Sequence, residues 1–416
     1  MYSQDGMGLG HLRRASNIAN EVLLLEPDTD ILILADSPAI SLFASQERID
    51  FLKLPTLVKR GPTSWSNGSL SLAVERVLRL RTKVIAQALY EFEPDTVLID
   101  HMPVGVLGEL KPLLDFARRR RPAPQIFLGL RDILDDPAVI RRAWTSLGAY
   151  KYLRYYDVVL VYGSREIYDA TNAYRLVPDA HAIVYCNYVS PRVEPLPSES
   201  PPDDPFILMM GGGGRDAFPI AKAFVEAVPI VGRKLDLGAV LLTGPNMSTA
   251  DREALRARAP QSVQIEAGLG NATEWIRRAS AVVTMGGYNS LCEVLKWRKK
   301  TLVVPRSGPS AEQQIRSRLF ADRSLVCACQ PLPGPHELAE KLLELFAEDG
   351  VPYEPNIPPL NGAERSAGVL LDWPAALDDH PVAASSHAVA ASNGRGAAGV
   401  RDVSPRPAPL PSRRVP

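Results

Sequence analysis

The sequence predicts an α/β protein made of two doubly wound halves that face a central cleft. Three observations predict it. Buried-strand runs alternate with amphipathic helical runs through both halves, as parallel βαβ units require. A stretch rich in proline, serine and acids, Ser190 to Pro205, separates the halves. Each half carries a glycine-rich loop ahead of a helix: Gly6-Met7-Gly8-Leu9-Gly10-His11 in the first, and Gly211-Gly212-Gly213-Gly214 after the strand run Phe206 to Met210 in the second. Glycine lets the backbone approach a bulky ligand at positive φ, and the helix N-terminus beyond offers free N–H groups and the positive end of a dipole.

In chain order, Met1-Tyr2-Ser3 reads as the remnant of a strand before the first glycine loop, so the sequence starts inside that strand. Helices are expected at Leu12 to Leu25, Leu70 to Tyr90, Val104 to Arg119 and Asp136 to Leu147, and buried strands at Ile31 to Ala35, Thr96 to Ile99, Ile126 to Leu130 and Val158 to Val161. Leu54 to Ser69 lacks periodicity and reads as a long loop. Beyond the linker the expected strands are Phe206 to Met210, Ala239 to Thr243, Val263 to Glu266, Ala281 to Thr284 and Thr301 to Val304. The helices between and after them are Phe218 to Val231, Thr249 to Ala257, Ala272 to Ala279, Ser290 to Trp297, Ser310 to Phe320 and Pro335 to Phe346, with a last one near Ala363 to Leu371. The domains are therefore 1–190, a linker 191–205, 206–373, and a tail 374–416 too poor in apolar residues to fold.

Composition narrows the function. The 416 residues carry a formal net charge of +0, which removes the electrostatic case for nucleic-acid binding, and the run Arg118 to Arg121 reads as a solvated helix end. The four cysteines (Cys186, Cys292, Cys327, Cys329) form no C-x-x-C pair and the six histidines no metal-ligand spacing, so reduced thiols, no metal and no cofactor are expected. No run reaches the roughly 18 apolar residues of a membrane span. A cytoplasmic protein without an integral membrane segment is expected, and Trp144 to Tyr156 reads as a half-buried helix, with peripheral membrane contact as the alternative.

Three segments of the second half carry chemistry. Gly211 to Gly214 sacrifices about 1 kcal/mol of chain entropy per glycine relative to alanine, which favours a phosphate cradle over a plain turn. Met285-Gly286-Gly287-Tyr288-Asn289-Ser290 is a second glycine turn before a helix, and Glu293 within that helix can accept two ribose hydroxyls; Ser290 and Glu293 also fit a capping box. Pro305 to Gln314 follows the next strand, where Glu312, Gln313 and Gln314 can read sugar hydroxyls, although Ser310 and Gln313 again fit a capping box.

Together with Gly6 to His11, these segments resemble the GT-B glycosyltransferases, in particular the MurG-type family 28 enzymes that move N-acetylglucosamine from UDP to a lipid-linked peptidoglycan precursor. The resemblance covers most of the chain outside the tail and implies two Rossmann-like domains. It implies that Glu293 binds the donor ribose, that Gln313 and Gln314 contact the donor sugar, and that the loops at 211–214 and 286–290 hold the diphosphate. Arg192 is the nearest match to a phosphate-binding arginine of that family, though displaced. On the acceptor side the loop is G-x-G-x-G-H, departing from the family's G-G-T-G-G-H type, so the acceptor need not be a peptidoglycan precursor. Gly8, Gly10, Asp100, His101, Arg131 and Asp132 are the acceptor-side candidates.

The expected reaction is a metal-independent, inverting displacement that moves a sugar from a nucleotide-sugar donor, UDP-linked by the resemblance, to a small-molecule or lipid-linked acceptor hydroxyl. His11 is the candidate base, with Asp132, Asp100 and His101 behind it. Asp28-Thr29-Asp30 precedes a strand and is poorly placed to hold a bridging metal. The alternatives are a nucleotide-sugar epimerase or hydrolase, a non-catalytic nucleotide-sugar binder, and a dehydrogenase using Gly6 to Gly10 with Asp36, weakened by His11 at the third glycine position.

Overall fold

Runs of Val, Ile and Leu buried on both faces build two parallel sheets, because a parallel sheet is covered by helices on each side and leaves no face for alternating polar residues. The computed structural model describes residues 1–6, 9–38, 40, 47–60, 64–176, 182–191, 202–267, 272–347 and 356–373, all within the compact unit Met1–Val382. Gly8, Arg192, most of the linker and the tail from 374 lie outside the described residues.

The N-terminal lobe runs β1 (Tyr2–Ser3), α1 (Gly10–Leu25), β2 (Ile31–Ala35), β3 (Ile49–Lys53), β4 (Leu57–Lys59), β5 (Trp65–Asn67), α2 (Val74–Phe92), β6 (Thr96–Asp100), α3 (Lys111–Ala117), β7 (Gln125–Arg131), α4 (Pro137–Leu147), α5 (Ala149–Leu153), β8 (Val158–Tyr162), α6 (Ala170–Tyr174) and β9 (Ala182–Tyr185). Its parallel sheet has the order β3-β2-β1-β6-β7-β8-β9. Short as it is, β1 sits at the centre, with Tyr2 opposite Leu34 on one side and Ile99 on the other.

The C-terminal lobe runs β10 (Phe206–Met210), α7 (Phe218–Val231), β11 (Gly238–Leu242), α8 (Thr249–Arg256), β12 (Val263–Glu266), α9 (Thr273–Arg278), β13 (Ala281–Thr284), α10 (Tyr288–Lys296), β14 (Thr301–Val303), α11 (Glu312–Ala321), β15 (Cys327–Ala328) and α12 (Pro335–Ala347). The sheet order is β12-β11-β10-β13-β14-β15. A last helix, α13 (Gly362–Asp372), packs on α1 of the N-terminal lobe, placing Ala363, Ala367 and Leu370 in one core with Ile18 and Val22. Both sheets reverse their strand order once, between β1 and β6 and between β10 and β13. Ligands of such folds collect at the carboxyl ends of the strands beside that reversal.

Two expectations are corrected. The stretch Leu54 to Ser69 is not a featureless loop, since it holds the antiparallel pair β4 and β5. The helix expected over Val104 to Arg119 breaks into a single 3-10 turn, Val106–Gly108, and α3, because Gly105, Leu107 and Gly108 all take positive φ. Trp144 to Tyr156 is not one helix: α4 ends at Leu147, Gly148 takes a φ of 65°, α5 stops at Leu153, and Trp144 and Tyr156 are buried.

Beside β1 lies a buried polar knot. Arg81 grips Glu109 through Nε and a terminal nitrogen at 2.7 Å each and reaches Asp36 at 3.0 Å, while the Tyr2 hydroxyl donates to Glu109 at 2.6 Å. Asp36 is 0% exposed and also accepts from the Asp5 amide, which closes it to any ribose and removes the dehydrogenase reading. Arg81→Ala strands two buried carboxylates and is expected to lower stability by about 3–5 kcal/mol. Urea denaturation measures it, and a loss below about 1 kcal/mol would contradict the buried network.

Candidate active site

At the carboxyl end of β1 the Asp5 carboxylate caps α1, accepting from the amides of His11 at 2.8 Å and Leu12 at 3.4 Å. Gly6 is required there, because a Cβ would run into the carbonyl of Leu57. The cap sets the first turn of α1 so that His11 Nδ1 lies 2.6 Å from Oδ2 of Asp100, the last residue of β6. Arg14, one turn on and 1% exposed, holds both oxygens of Asp100 at 2.9 and 2.7 Å. Burial alone raises the Asp100 pKa, but Arg14 and His11 outweigh it and hold the carboxyl below the usual range. Arg14 also comes within 2.8 Å of His11 Nδ1, which cannot both accept from it and donate to Asp100. The shorter, charge-assisted contact assigns the Nδ1 proton toward Asp100 and leaves Nε2 with its lone pair.

His101 follows Asp100 at a φ of 73°, its ring centroid 4.6 Å from that of His11. Burial above all, with Arg131 nearby, pushes its pKa well below the histidine range, so it is neutral. Its Nδ1 is buried without a hydrogen-bond partner. At the end of β7, Arg131 pairs with Glu312 at 2.7 Å, and both Asp132 oxygens are taken by Arg316 at 2.7 and 3.1 Å. These two residues bridge to the C-terminal lobe.

The three candidate loops of the second lobe leave neighbouring strands, since Met210 lies opposite Thr284 and Thr284 opposite Val303. Gly212 and Gly214 take positive φ, and Gly213 accepts from the Asn246 amide at 2.9 Å; a Cβ on Gly214 would meet the Thr243 carbonyl. The amides of Gly212 and Gly213 donate to nothing among the described residues. Gly286 also has positive φ, and its Cβ would lie 2.7 Å from Val303 Cγ1. Gly287 is the N-cap of α10 and makes no side-chain cap bond, so the capping-box reading of Ser290 and Glu293 is corrected: both lie inside the helix. Asn289 donates to the Gly10 carbonyl at 3.2 Å, and Glu293 pairs with Arg13 at 2.7 Å.

After β14, Gln313 accepts from the Arg306 amide at 3.1 Å and Gln314 donates to its carbonyl at 3.0 Å. Gln313 therefore caps nothing; Ser310 accepts from the Glu312 amide at 3.3 Å. Arg306 reaches back to Asp216 at 3.1 Å, joining the loop after β14 to the loop after β10. The loops at 211–214 and 286–290 thus rise side by side, with the first turn of α10 against the first turn of α1.

The sequence reading missed Arg13, Arg14, Arg316 and Tyr288. A signal existed for Arg14, which follows His11 by three residues and shares its helix face, and for the pair Glu312 and Arg316 at i, i+4. A cavity of about 810 Å³ lies at the opposite end of the first sheet, against Met1, Ile31, Thr96 and Gln125, away from these groups. Asp28 and Asp30 also lie there, paired with Arg48. Among the described residues no cluster of three or more His, Cys, Asp or Glu could hold a metal, and no helix is long and apolar enough to cross a membrane.

Residues 207–366 match the model of the glycosyltransferase family 28 C-terminal domain. No curated protein matches the chain. The fold is similar to that of the glycotransferase of kitacinnamycin, at 13% identity over 89% of this chain and 97% of that one, with a TM-score of 0.62. It is also similar to a putative UDP-N-acetylglucosamine 2-epimerase from Listeria monocytogenes (13%, 89% and 94%, TM-score 0.59) and to a ugt transferase from Siraitia grosvenorii in complex with UDP (13%, 89% and 99%, TM-score 0.58). At such identities the likeness is one of fold, and the fold is GT-B.

Glu312 carries the inter-lobe bridge to Arg131 and Arg316. Burial opposes its charge, but the two arginines prevail and bring its pKa from 4.5 to about 2. A depressed folded value means its contribution is complete above 4.5 and is lost as pH falls toward 2. Denaturant titrations through that window are expected to show falling stability, with part of the slope removed in Glu312→Gln; an unchanged slope in the variant would refute the assignment.

Proposed function

We propose, from the premise that the chain is a GT-B glycosyltransferase with a family 28 C-terminal domain, that it moves a sugar from a UDP-linked donor to an acceptor hydroxyl with inversion and without a metal. The observation that carries the reading is the His11–Asp100 pair, oriented at the carboxyl end of one sheet and facing the glycine loops of the other. In this reading Nε2 of His11 takes the acceptor proton as the hydroxyl oxygen attacks the anomeric carbon. Asp100 stabilises the resulting imidazolium, and Arg14 keeps Asp100 ionised. The bond from the anomeric carbon to the diphosphate breaks, and UDP leaves with the electron pair.

That leaving charge is received by the amides of Gly212 and Gly213 and by the N-terminus of α10 at Gly286 and Gly287. Glu293 takes the ribose hydroxyls, while Gln313 and Gln314, tied to the backbone of Arg306, read the sugar. His101, neutral and with an unpaired Nδ1, orients the acceptor beside His11. The acceptor is a small molecule or a lipid-linked one.

A second reading, epimerisation or hydrolysis of the donor, has a fold precedent in the Listeria neighbour, but the family 28 match favours transfer. Incubation with donor alone separates them: a free or epimerised sugar without acceptor would replace the transfer reading. His11→Ala is expected to lower kcat by about 10²–10⁴ with donor affinity within twofold of wild type, and undiminished turnover would remove His11 as the base. Proton NMR of the product should show the opposite anomeric configuration to the donor, and turnover should persist in a chelator.

A further inference from the structure

Three residues near the start of α1 each face α10: the Gly10 carbonyl meets Asn289, Arg13 meets Glu293, and the Arg14 guanidinium stands 5.5 Å from the centre of the Tyr288 ring. Arg14 is locked, with its side chain 1% exposed. Arg13 differs, because its side chain is 29% exposed and is anchored by a 2.7 Å bond to the Glu293 carboxylate, which is 8% exposed. A cation in the first turn of a helix is unfavourable beside the positive dipole end; the first turn of α1 contains no acidic residue of its own, and the Asp5 cap is engaged by the His11 and Leu12 amides. The anion that faces Arg13 comes from the other lobe, in Glu293.

We propose that Arg13 is a donor-exchange residue, yielding Glu293 to the donor ribose and passing its guanidinium to the donor diphosphate. The inference rests on the reading of Glu293 as the ribose carboxylate. A ribose diol and Arg13 compete for the same carboxylate oxygens, so one must leave as the other arrives. Gly287, at the diphosphate end of α10, is six residues from Glu293, about 9 Å along the axis and within the swing of an arginine. The diphosphate then replaces the anion Arg13 has lost. Binding of the donor would be felt directly by the helix that carries His11.

Calorimetric titration with uridine and with UDP separates the two halves of the exchange. Arg13→Ala is expected to bind uridine as well as wild type or up to threefold tighter, and UDP at least tenfold more weakly, with Arg13→Lys recovering part of the UDP affinity. Glu293→Gln should weaken both ligands together. Equal loss of both ligands in Arg13→Ala, or unchanged UDP affinity, overturns the exchange while leaving Glu293 in place. Unchanged uridine affinity in Glu293→Gln removes the ribose reading and the exchange with it, as does a wild-type protein that binds neither ligand. Thermal unfolding of each variant confirms that it is folded.

Discussion

The cleft depends on two buried guanidinium groups held against one tyrosine ring. Arg14 and Arg316 lie 5.5 and 5.6 Å from the centre of the Tyr288 ring, from opposite lobes, and each is fastened to a carboxylate at a strand end, Asp100 or Asp132. A buried charge is tolerated only when paired, so each arginine dictates where its loop partners stand. Asp100 in turn orients His11, and Arg316 holds the carbonyl of Gly286 in the glycine turn. His11 and the glycine turn at Gly286 are thus fixed by one continuous stack.

Sheet topology supplies the rest. Because every strand of the two large sheets is parallel, the loops after their strands emerge at one edge of each sheet, and the single reversal of strand order marks a crevice there. In the first lobe the crevice brings together His11 and Asp100. In the second it brings the loops after β10 and β13 alongside the one after β14. Side chains from residues far apart in sequence meet at hydrogen-bonding distance without any local motif joining them.

That separation marks the limit of what the sequence disclosed. The central strands and most helices were legible because apolar runs of five residues and a 3.6-residue period are local signals, and the glycine loops because positive φ is costly for other residues. His11 stood out beside its glycines. Its partner did not, since 89 residues separate it from Asp100 and only the β1–β6 pairing makes them neighbours. Arg13 and Glu293 are 280 residues apart, and that contact lies beyond any periodicity argument. The capping box at Ser290 misled for a different reason: the N-cap of α10 is Gly287, three residues before that serine, and it makes no side-chain cap bond. Two-residue and three-residue elements such as β15 and β4 are too short to carry a pattern.

The return of α13 to the first lobe has a mechanical consequence. Gly362 donates to the Tyr188 carbonyl at 2.9 Å, in a contact so close that a Cβ would sit 2.6 Å from the Asn187 carbonyl. The polypeptide therefore passes between the lobes twice, and both passages are pinned at one point next to Tyr188. A single tether would allow the halves to twist and drift in any direction. Two crossings tied together at Tyr188 and Gly362 hold the lobes to a narrower set of relative orientations than one crossing could.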